Sequence, residues 1–455
     1  MNDQSHTIAA IATAPGEAGI AIIRISGDRS LAVADRIFSN TGAPPSRRAP
    51  GVFLRGLVKS GARALDEAVL LVMRAPHSYT REDVVEIQCH GGFVSARRIL
   101  QTILTLGVRI AEPGEFTRRA FLNGRIDLVQ AEAVLDLIRS QSDRSAAAAV
   151  EQLEGGLSDS FNAIYDNVVR VCSDLEAALD FSEDDAPPAL IPETTAHVNR
   201  ILEQIDSLLK TWEEGHLLRE GALVVISGRP NVGKSTLLNA LLGKNRAIVS
   251  PVPGTTRDTI EETIILEGVP IRLVDTAGLR TATCAIEQEG IKRARNHMQK
   301  ADLHLYIIDA SMPLDNEDVS NLKSLKTEKA IVIINKIDLG ALIQERYISG
   351  FINIQSQLNA GKGLKEIKEK IIEQLGVTYS GQPHAIISER HKKVLQKSYT
   401  DIEKALKIMV SGQDESIILA VSHLRFAVES LGQITGKIYH SELLNSIFSR
   451  FCIGK

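Results

Sequence analysis

Cysteine is scarce and scattered. Cys89, Cys172, Cys284 and Cys452 lie far apart and no Cys-x-x-Cys pair occurs, so neither a disulfide framework nor a zinc site is expected. There is no excess of positive charge either. Lysine and arginine number 52 against 56 aspartates and glutamates, for a net charge of −4. That excludes a chain whose overall field attracts nucleic acid. If it handles nucleic acid, local basic patches or a partner must neutralise the phosphates. No uncharged apolar run is long enough to cross a membrane. The opening "MNDQSHTIAAIATAPGEAGI" has no basic stretch leading into a long apolar core, the pattern of a secretory signal. No internal repeat and no low-complexity tract is found; "SAAAAV" is too short to count. These absences lead to the expectation of a reduced, cytoplasmic protein.

What is present is an ordinary globular composition, 44% hydrophobic and 24% charged over 455 residues. Such a length suggests about three domains. Residues 1–118 mix short strands with turns. "IAIIRIS" (20–26), "EAVLLVM" (67–73) and "DVVEIQC" (83–89) read as strands rich in β-branched residues. "GGFVSARRILQTILTLG" (91–107) reads as a helix, and the whole as a small α+β domain. From 119 the spacing is helical. "SEDDAPPALIPET" (182–194), with Pro187, Pro188 and Pro192, reads as a loop whose last residues open the next helix. From 221 strands and helices alternate. "ALVVIS" (222–227), "IRLVD" (271–275), "LHLYIID" (303–309) and "AIVIINK" (330–336) are continuous apolar runs, as strands buried on both faces of a parallel sheet must be. Helical texture returns near 380. The economical division is an α+β domain (1–118), a mainly helical domain (119–220 plus 380–455), and a doubly wound, Ras-like α/β domain (221–379) inserted into it, because insertion is tolerated where chain ends lie close at a surface.

The inserted domain carries the chemistry. "GRPNVGKST" (228–236) follows a strand and opens a helix, the context that a P-loop requires. The backbone of Asn231, Val232, Gly233, Lys234, Ser235 and Thr236 would cradle phosphates. Lys234 would neutralise β/γ oxygens and Ser235 would ligate magnesium. "GTTRD" (254–258) offers Thr256 as a second magnesium ligand. "DTAG" (Asp275, Thr276, Ala277, Gly278) would sense the γ-phosphate. In "NKID", Asn335 and Lys336 lead to Asp338, whose carboxylate can accept both N–H groups of guanine's Watson–Crick edge, which adenine cannot offer. Ordered motifs at strand ends predict a GTP site. After Gly278 comes Leu279, where many GTPases place the glutamine that orients water; Glu287 and Glu289 are nearby carboxylates that could act in its place. "FINIQSQLNAGKGL" (351–364) offers Ser356 followed by Gln357 where a fifth GTPase motif, normally Ser-Ala, is expected, and no site is assigned there.

With these motifs, with "PGEFTRRAFLNGRIDLVQAEAV" (113–134) and with the terminal "FCIGK", the chain resembles over its whole length the MnmE (TrmE) family of tRNA modification GTPases. The resemblance implies a GTPase whose G domains dimerise around potassium, with Asn231, Ser250, Val252 and Thr255 around the ion and Glu287 orienting the water. Ser250 and Thr255 are counted with the GTP site. It implies a homodimerising N-terminal domain that binds a tetrahydrofolate derivative (5-formyl- or 5,10-methylene-type), with Arg24, Glu86, Arg125 and Lys455 at pocket positions. Arg125 departs from the lysine usual in the family. Cys452 is a candidate for a chemical role, alongside Glu287 and Lys234. The implied partners are an FAD-dependent protein of the MnmG type, in a heterotetramer, and tRNA, whose wobble uridine is modified at carbon 5. Two other readings remain open: an RNA- or ribosome-associated assembly GTPase acting as a binding switch, and a folate enzyme that keeps its G domain for regulation.

Overall fold

The computed structural model describes residues 6–180, 190–243, 261–275, 299–340, 342–377, 387–411 and 416–455. Its first sheet has seven strands: β1 (Ile8–Ile11), β2 (Ile20–Ser26), β3 (Phe38–Ser39), β4 (Phe53–Ser60), β5 (Arg63–Met73), β6 (Val84–His90) and β7 (Arg109–Ile110). They are ordered β3-β4-β5-β6-β2-β1-β7, antiparallel except for β1 with β7. Strand β2 shows how the sheet is built. Successive side chains alternate faces. Ala21, Ile23 and Ile25 are buried in a core shared with the helices Ser30–Ile37 and Phe93–Leu104. Arg24 and Ser26 take the other face. There the register sets Arg24 opposite Ala10 and Glu86, and Ser26 opposite Ile8. Ile8 and Ala10 form a second cluster with Ala111 and Phe116, and Tyr79 packs against it.

The second sheet runs β13-β12-β11-β8-β10-β9: β8 (Ala222–Ser227), β9 (Glu261–Leu266), β10 (Val269–Asp275), β11 (Leu303–Asp309), β12 (Ala330–Asn335) and β13 (Ile352–Gln355). All neighbours are parallel except β9 with β10. Every residue of β8 and of β11 is buried, which is why both are mostly apolar without alternation; Ser227, His304 and Asp309 are the buried polar exceptions. This is the doubly wound sheet expected of residues 221–379. The switch in strand order from β8 outward places a ligand crevice at the carboxyl ends of β8, β10, β11 and β12.

Helices make up most of the rest. The one at Leu190–Lys210 begins earlier than the sequence suggested. Residues 190–194 of the expected loop are helical, and Pro192 sits in the first turn, where a missing N–H breaks no intrahelical bond. The helical pattern expected beyond that loop is carried by two helices that meet at Thr211, Leu190–Lys210 and Trp212–Glu220. Among the described residues one helix, Ile417–Thr435, is long and apolar enough to cross a membrane, with 44% of it buried within the fold. Its buried stripe of Ala420, Leu424, Ala427, Leu431 and Ile434 follows the three-four spacing of a helix packed on one face. By contacts the chain divides into two compact units, Met1–Leu135 with Ser158–Tyr165 and Val428–Lys455, and Asp136–Leu157 with Asp166–Ala427. Cys89, Cys172 and Cys452 are free thiols.

Candidate functional site

The segment GRPNVGKST leaves β8 and enters the helix Lys234–Leu242. Two glycines dictate its path. Gly228 has φ +138°, and a Cβ there would lie 2.3 Å from the carbonyl oxygen of Ile307 on β11. Gly233 has φ +114°, and its Cβ would lie 2.3 Å from the Asn335 amide. No side chain is tolerated at either place. Asn231, exposed at the loop's apex, takes φ +63°, a left-handed conformation that asparagine adopts more readily than most residues. The loop's amides and the N-terminus of the helix form an anion site. Lys234 is buried, and its Nζ donates to the carbonyls of Gly228 at 2.9 Å and Arg229 at 2.5 Å. Its charge is therefore held inside the turn that would receive phosphate oxygens. Ser235 is exposed on the first helical turn and Thr236 is half-buried beside it. Asp275 ends β10 in register with Ile226, one residue before the strand gives way to the loop. Ser235 and Asp275 bring a hydroxyl and a carboxylate, oxygen ligands of the kind magnesium takes, to the ends of these elements.

Strand β12 delivers the second half of the site. Asn335 is buried; its Nδ2 donates to the Val232 carbonyl at 2.9 Å, and its Oδ1 accepts from the Leu358 amide at 3.1 Å and the Ser356 hydroxyl at 3.4 Å. Asn335 is thus a strut that ties the P-loop to two neighbouring loops. Lys336 takes φ +62° and its Nζ donates to Asp309 at 2.6 Å. Burial alone would raise the Asp309 carboxyl, but Lys336 and the hydroxyl and amide of Ser311 outweigh it and hold it below its ordinary value. A depressed carboxylate stabilises the fold above its unfolded pKa, about 3.9 for aspartate, and that contribution is lost as the pH falls through the lower folded value. Asp338 is exposed on the short turn Ile337–Leu339.

Sequence reasoning left Ser356 unassigned. It is fully buried, its amide donates to Ile334 at 2.7 Å, and its hydroxyl holds Asn335. The usable signal was its place at the end of β13, next to the strand that carries Asn335. The expected positions Ser250, Val252, Thr255, Thr256, Thr276, Ala277, Gly278 and Glu287, with Leu279, lie outside the described residues.

The N-terminal candidates form a second cluster. Arg24 Nε donates to Glu86 Oε1 at 2.8 Å, with side-chain exposures of 17% and 13%, so Arg24 does not turn to solvent as an ordinary strand arginine would. Its guanidinium lies 5.6 Å from the ring centres of Tyr79 and of Phe116. Arg125 stacks on the other edge of this group, 4.6 Å from the Tyr79 ring centre, and donates to the Tyr79 carbonyl. The chain's end is docked here rather than frayed. Arg24 Nη1 reaches the Gly454 carbonyl at 3.5 Å, and the Gly114 amide meets the Cys452 carbonyl at 3.5 Å. A Cβ on Gly454 would lie 2.4 Å from the Ile11 carbonyl, and one on Gly114 would lie 2.6 Å from that of Phe448. Cys452 stays exposed and Lys455 half-buried. Beside the tail, Ile453 lines an apolar cleft of about 240 Å³ with Ile11, Ile20, Phe93 and Ile110. His90, next to Cys89, is hydrogen-bonded to Asp66 at 2.7 Å.

A family model of the MnmE helical domain matches residues 128–452, and one of the GTP-binding protein TrmE N-terminus matches residues 7–125. The tRNA modification GTPase MnmE of Moorella thermoacetica is 44% identical over 462 residues, covering 99% of both chains. The chain belongs to the MnmE family of tRNA modification GTPases. The MnmE protein of Geobacter sulfurreducens is 42% identical, again over 99% of both chains. Among solved structures, the G domain of the T. maritima FeoB iron transporter is 28% identical; the match covers 34% of this chain and 98% of that one, with a TM-score of 0.26. As an MnmE-family GTPase the chain binds GTP, and its P-loop motif is tied to β12 through Asn335.

Proposed function

We propose that the chain is a potassium-activated GTPase that works as a cytoplasmic homodimer with a flavin-dependent, MnmG-type partner. The pair adds an aminomethyl or carboxymethylaminomethyl group to carbon 5 of the wobble uridine of certain tRNAs. One observation carries this reading: a chain that matches MnmE relatives end to end holds both a built P-loop and an Arg24–Glu86 pair beside a docked tail bearing Cys452. Three parts divide the work: residues 1–118 for folate and dimerisation, 119–220 with 380–455 as the helical body, and 221–379 as the G domain.

Ser235 and Thr256 would offer hydroxyls to magnesium, and Asp275 would act through its waters. Asn231, Ser250, the Val252 carbonyl and Thr255 would hold potassium, whose charge would stabilise the transition state as an arginine finger does elsewhere. Glu287 orients the water that Leu279 cannot. Arg24, Glu86, Arg125 and Lys455 would hold a tetrahydrofolate derivative, which would supply the one-carbon unit, and Cys452 is the candidate for a chemical role. Hydrolysis moves the G domain rather than making the carbon bond, and the helical body carries that motion. Supporting the coupling, the turn between β9 and β10 sets Gly268 against the Arg144 side chain, and Ala148, Leu217 and Leu218 share one core with β8 and β10.

GTP turnover in potassium chloride against sodium chloride at equal ionic strength tests the hydrolysis. Potassium should raise kcat by about 10-fold or more, and Glu287→Ala should lose on the order of 10²-fold. Equal, slow turnover in both salts would remove the cation mechanism and favour the RNA-switch reading. Arg24→Gln should weaken binding of 5-formyltetrahydrofolate by about 10-fold, the loss of a charge-assisted hydrogen bond, with GTP turnover kept; unchanged folate titrations would detach this cluster from the pocket.

A further inference from the structure

The P-loop is anchored on one flank by Asn335. Its other flank is held by Arg229, a residue that no motif assigns. Arg229 is the first variable residue of the loop, and its carbonyl is one of the two that hold Lys234 Nζ. Its side chain reaches the segment that follows β11. Nε pairs with Asp318 Oδ2 at 2.8 Å, Nη1 pairs with Asp315 Oδ2 at 3.1 Å, and Nη2 reaches the Pro313 carbonyl at 3.4 Å. The side chain is only 17% exposed and that of Asp318 only 1%.

Both carboxylates belong to the start of one helix, Asn316–Ser324. Asp315 is its N-cap and Asp318 closes a reciprocal capping box. Asp318 also accepts the hydroxyl of the buried Tyr306, on β11, at 2.9 Å. Arg229 is therefore a fork locked into a rigid, charged network. A planar guanidinium satisfies several acceptors in a defined geometry, which an ammonium cannot reproduce. Its charge is spent on two carboxylates, so it adds nothing to phosphate attraction directly. What it sets is the backbone. The loop between Gly228 and the strained Asn231 has no other side-chain anchor among those described, since Pro230 and Asn231 are exposed.

We propose that Arg229 is a positioning residue of the GTP site. Clamped to Asp315 and Asp318, it holds the near limb of the P-loop in the conformation that presents Lys234 and the loop amides to the phosphates. The same limb serves the diphosphate of GDP, so the two nucleotides should respond together.

The test is nucleotide affinity and the KM-against-kcat split of the full chain. Arg229→Gln should weaken GDP binding and raise the KM for GTP by about 10-fold in parallel, because the lost interaction serves ground state and transition state alike. Arg229→Lys should recover only part of this. Asp315→Asn keeps a good N-cap but loses half the clamp, and should give a smaller shift in the same direction. It also serves if Arg229→Gln does not fold. A purely structural arginine would lower the melting temperature of the nucleotide-free protein while leaving GDP affinity within two-fold of wild type. That result in Arg229→Gln, or in Asp315→Asn where Arg229→Gln does not fold, overturns the proposal.

Discussion

Lys234→Ala lowers kcat/KM for GTP by on the order of 10³-fold, the scale seen when a preorganised charge at a developing anion is removed. The geometry makes the loss large. Lys234 Nζ is the donor that the carbonyls of Gly228 and Arg229 share. Without it, two inward-facing carbonyls are left beside incoming phosphate oxygens, so an attraction is replaced by a repulsion. Affinity for GDP should fall as well, since the same ammonium serves both nucleotides. Phosphate release by the purified variant measures the first effect and fluorescent GDP titration the second. Turnover within 10-fold of wild type would mean that the loop is not where hydrolysis happens. In a strain lacking the wild-type gene, the variant should also fail to restore wobble-uridine modification. Restoration despite lost GTPase activity would support a folate enzyme that keeps its G domain only for regulation.

The parts legible in the sequence are those where one physical demand acts alone. Strands β8 and β11 are buried on both faces, so an uninterrupted apolar run announced them. The glycines of the P-loop are required by backbone approach at 2.3 Å, and no other residue could stand in that spacing. Strands β3 and β7 are two residues long and too short to show a period; they exist because the sheet edges beside them accept a partner. Strand β9, with Glu261, Glu262 and Thr263 among its six residues, lacks the apolar run that marked its neighbours and is held by antiparallel pairing with β10. Ser356, seen as a motif candidate but left without a role, and Arg229, not singled out at all, were hard to read for another reason. Their roles are contacts across 21 and up to 89 residues of chain, and one sequence holds no record of such pairings. The tail is similar. "FCIGK" was readable as a motif, but that Gly454 packs on Ile11 and meets Arg24 follows from the fold of the sheet beneath it.

Asp338→Asn is the second large expected effect, and it concerns choice rather than rate. Asp338 stands on the turn Ile337–Leu339, entered through Lys336 in a left-handed conformation and held by the Ile337 amide on the Ser356 carbonyl at 3.4 Å. That turn follows the carboxyl end of β12 and leaves Asp338 exposed, so the carboxylate is free to meet a base. A carboxylate only accepts, and guanine offers two adjacent N–H donors to it. An asparagine offers one acceptor and one donor, which opposes guanine's exocyclic amine but matches the N–H and carbonyl of xanthine. Sites built on such hydrogen bonds reject the mismatched partner strongly, because a polar group is left unpaired. The variant should lose on the order of 10²-fold in kcat/KM for GTP and should hydrolyse XTP faster than GTP, with Lys234 chemistry intact. Competition between the two nucleotides reads this directly. A variant that still prefers GTP would show that the base is recognised from another loop. A variant inactive with both would place Asp338 in the support of the turn rather than in contact with the base, and the reciprocal gain with XTP is what separates these roles.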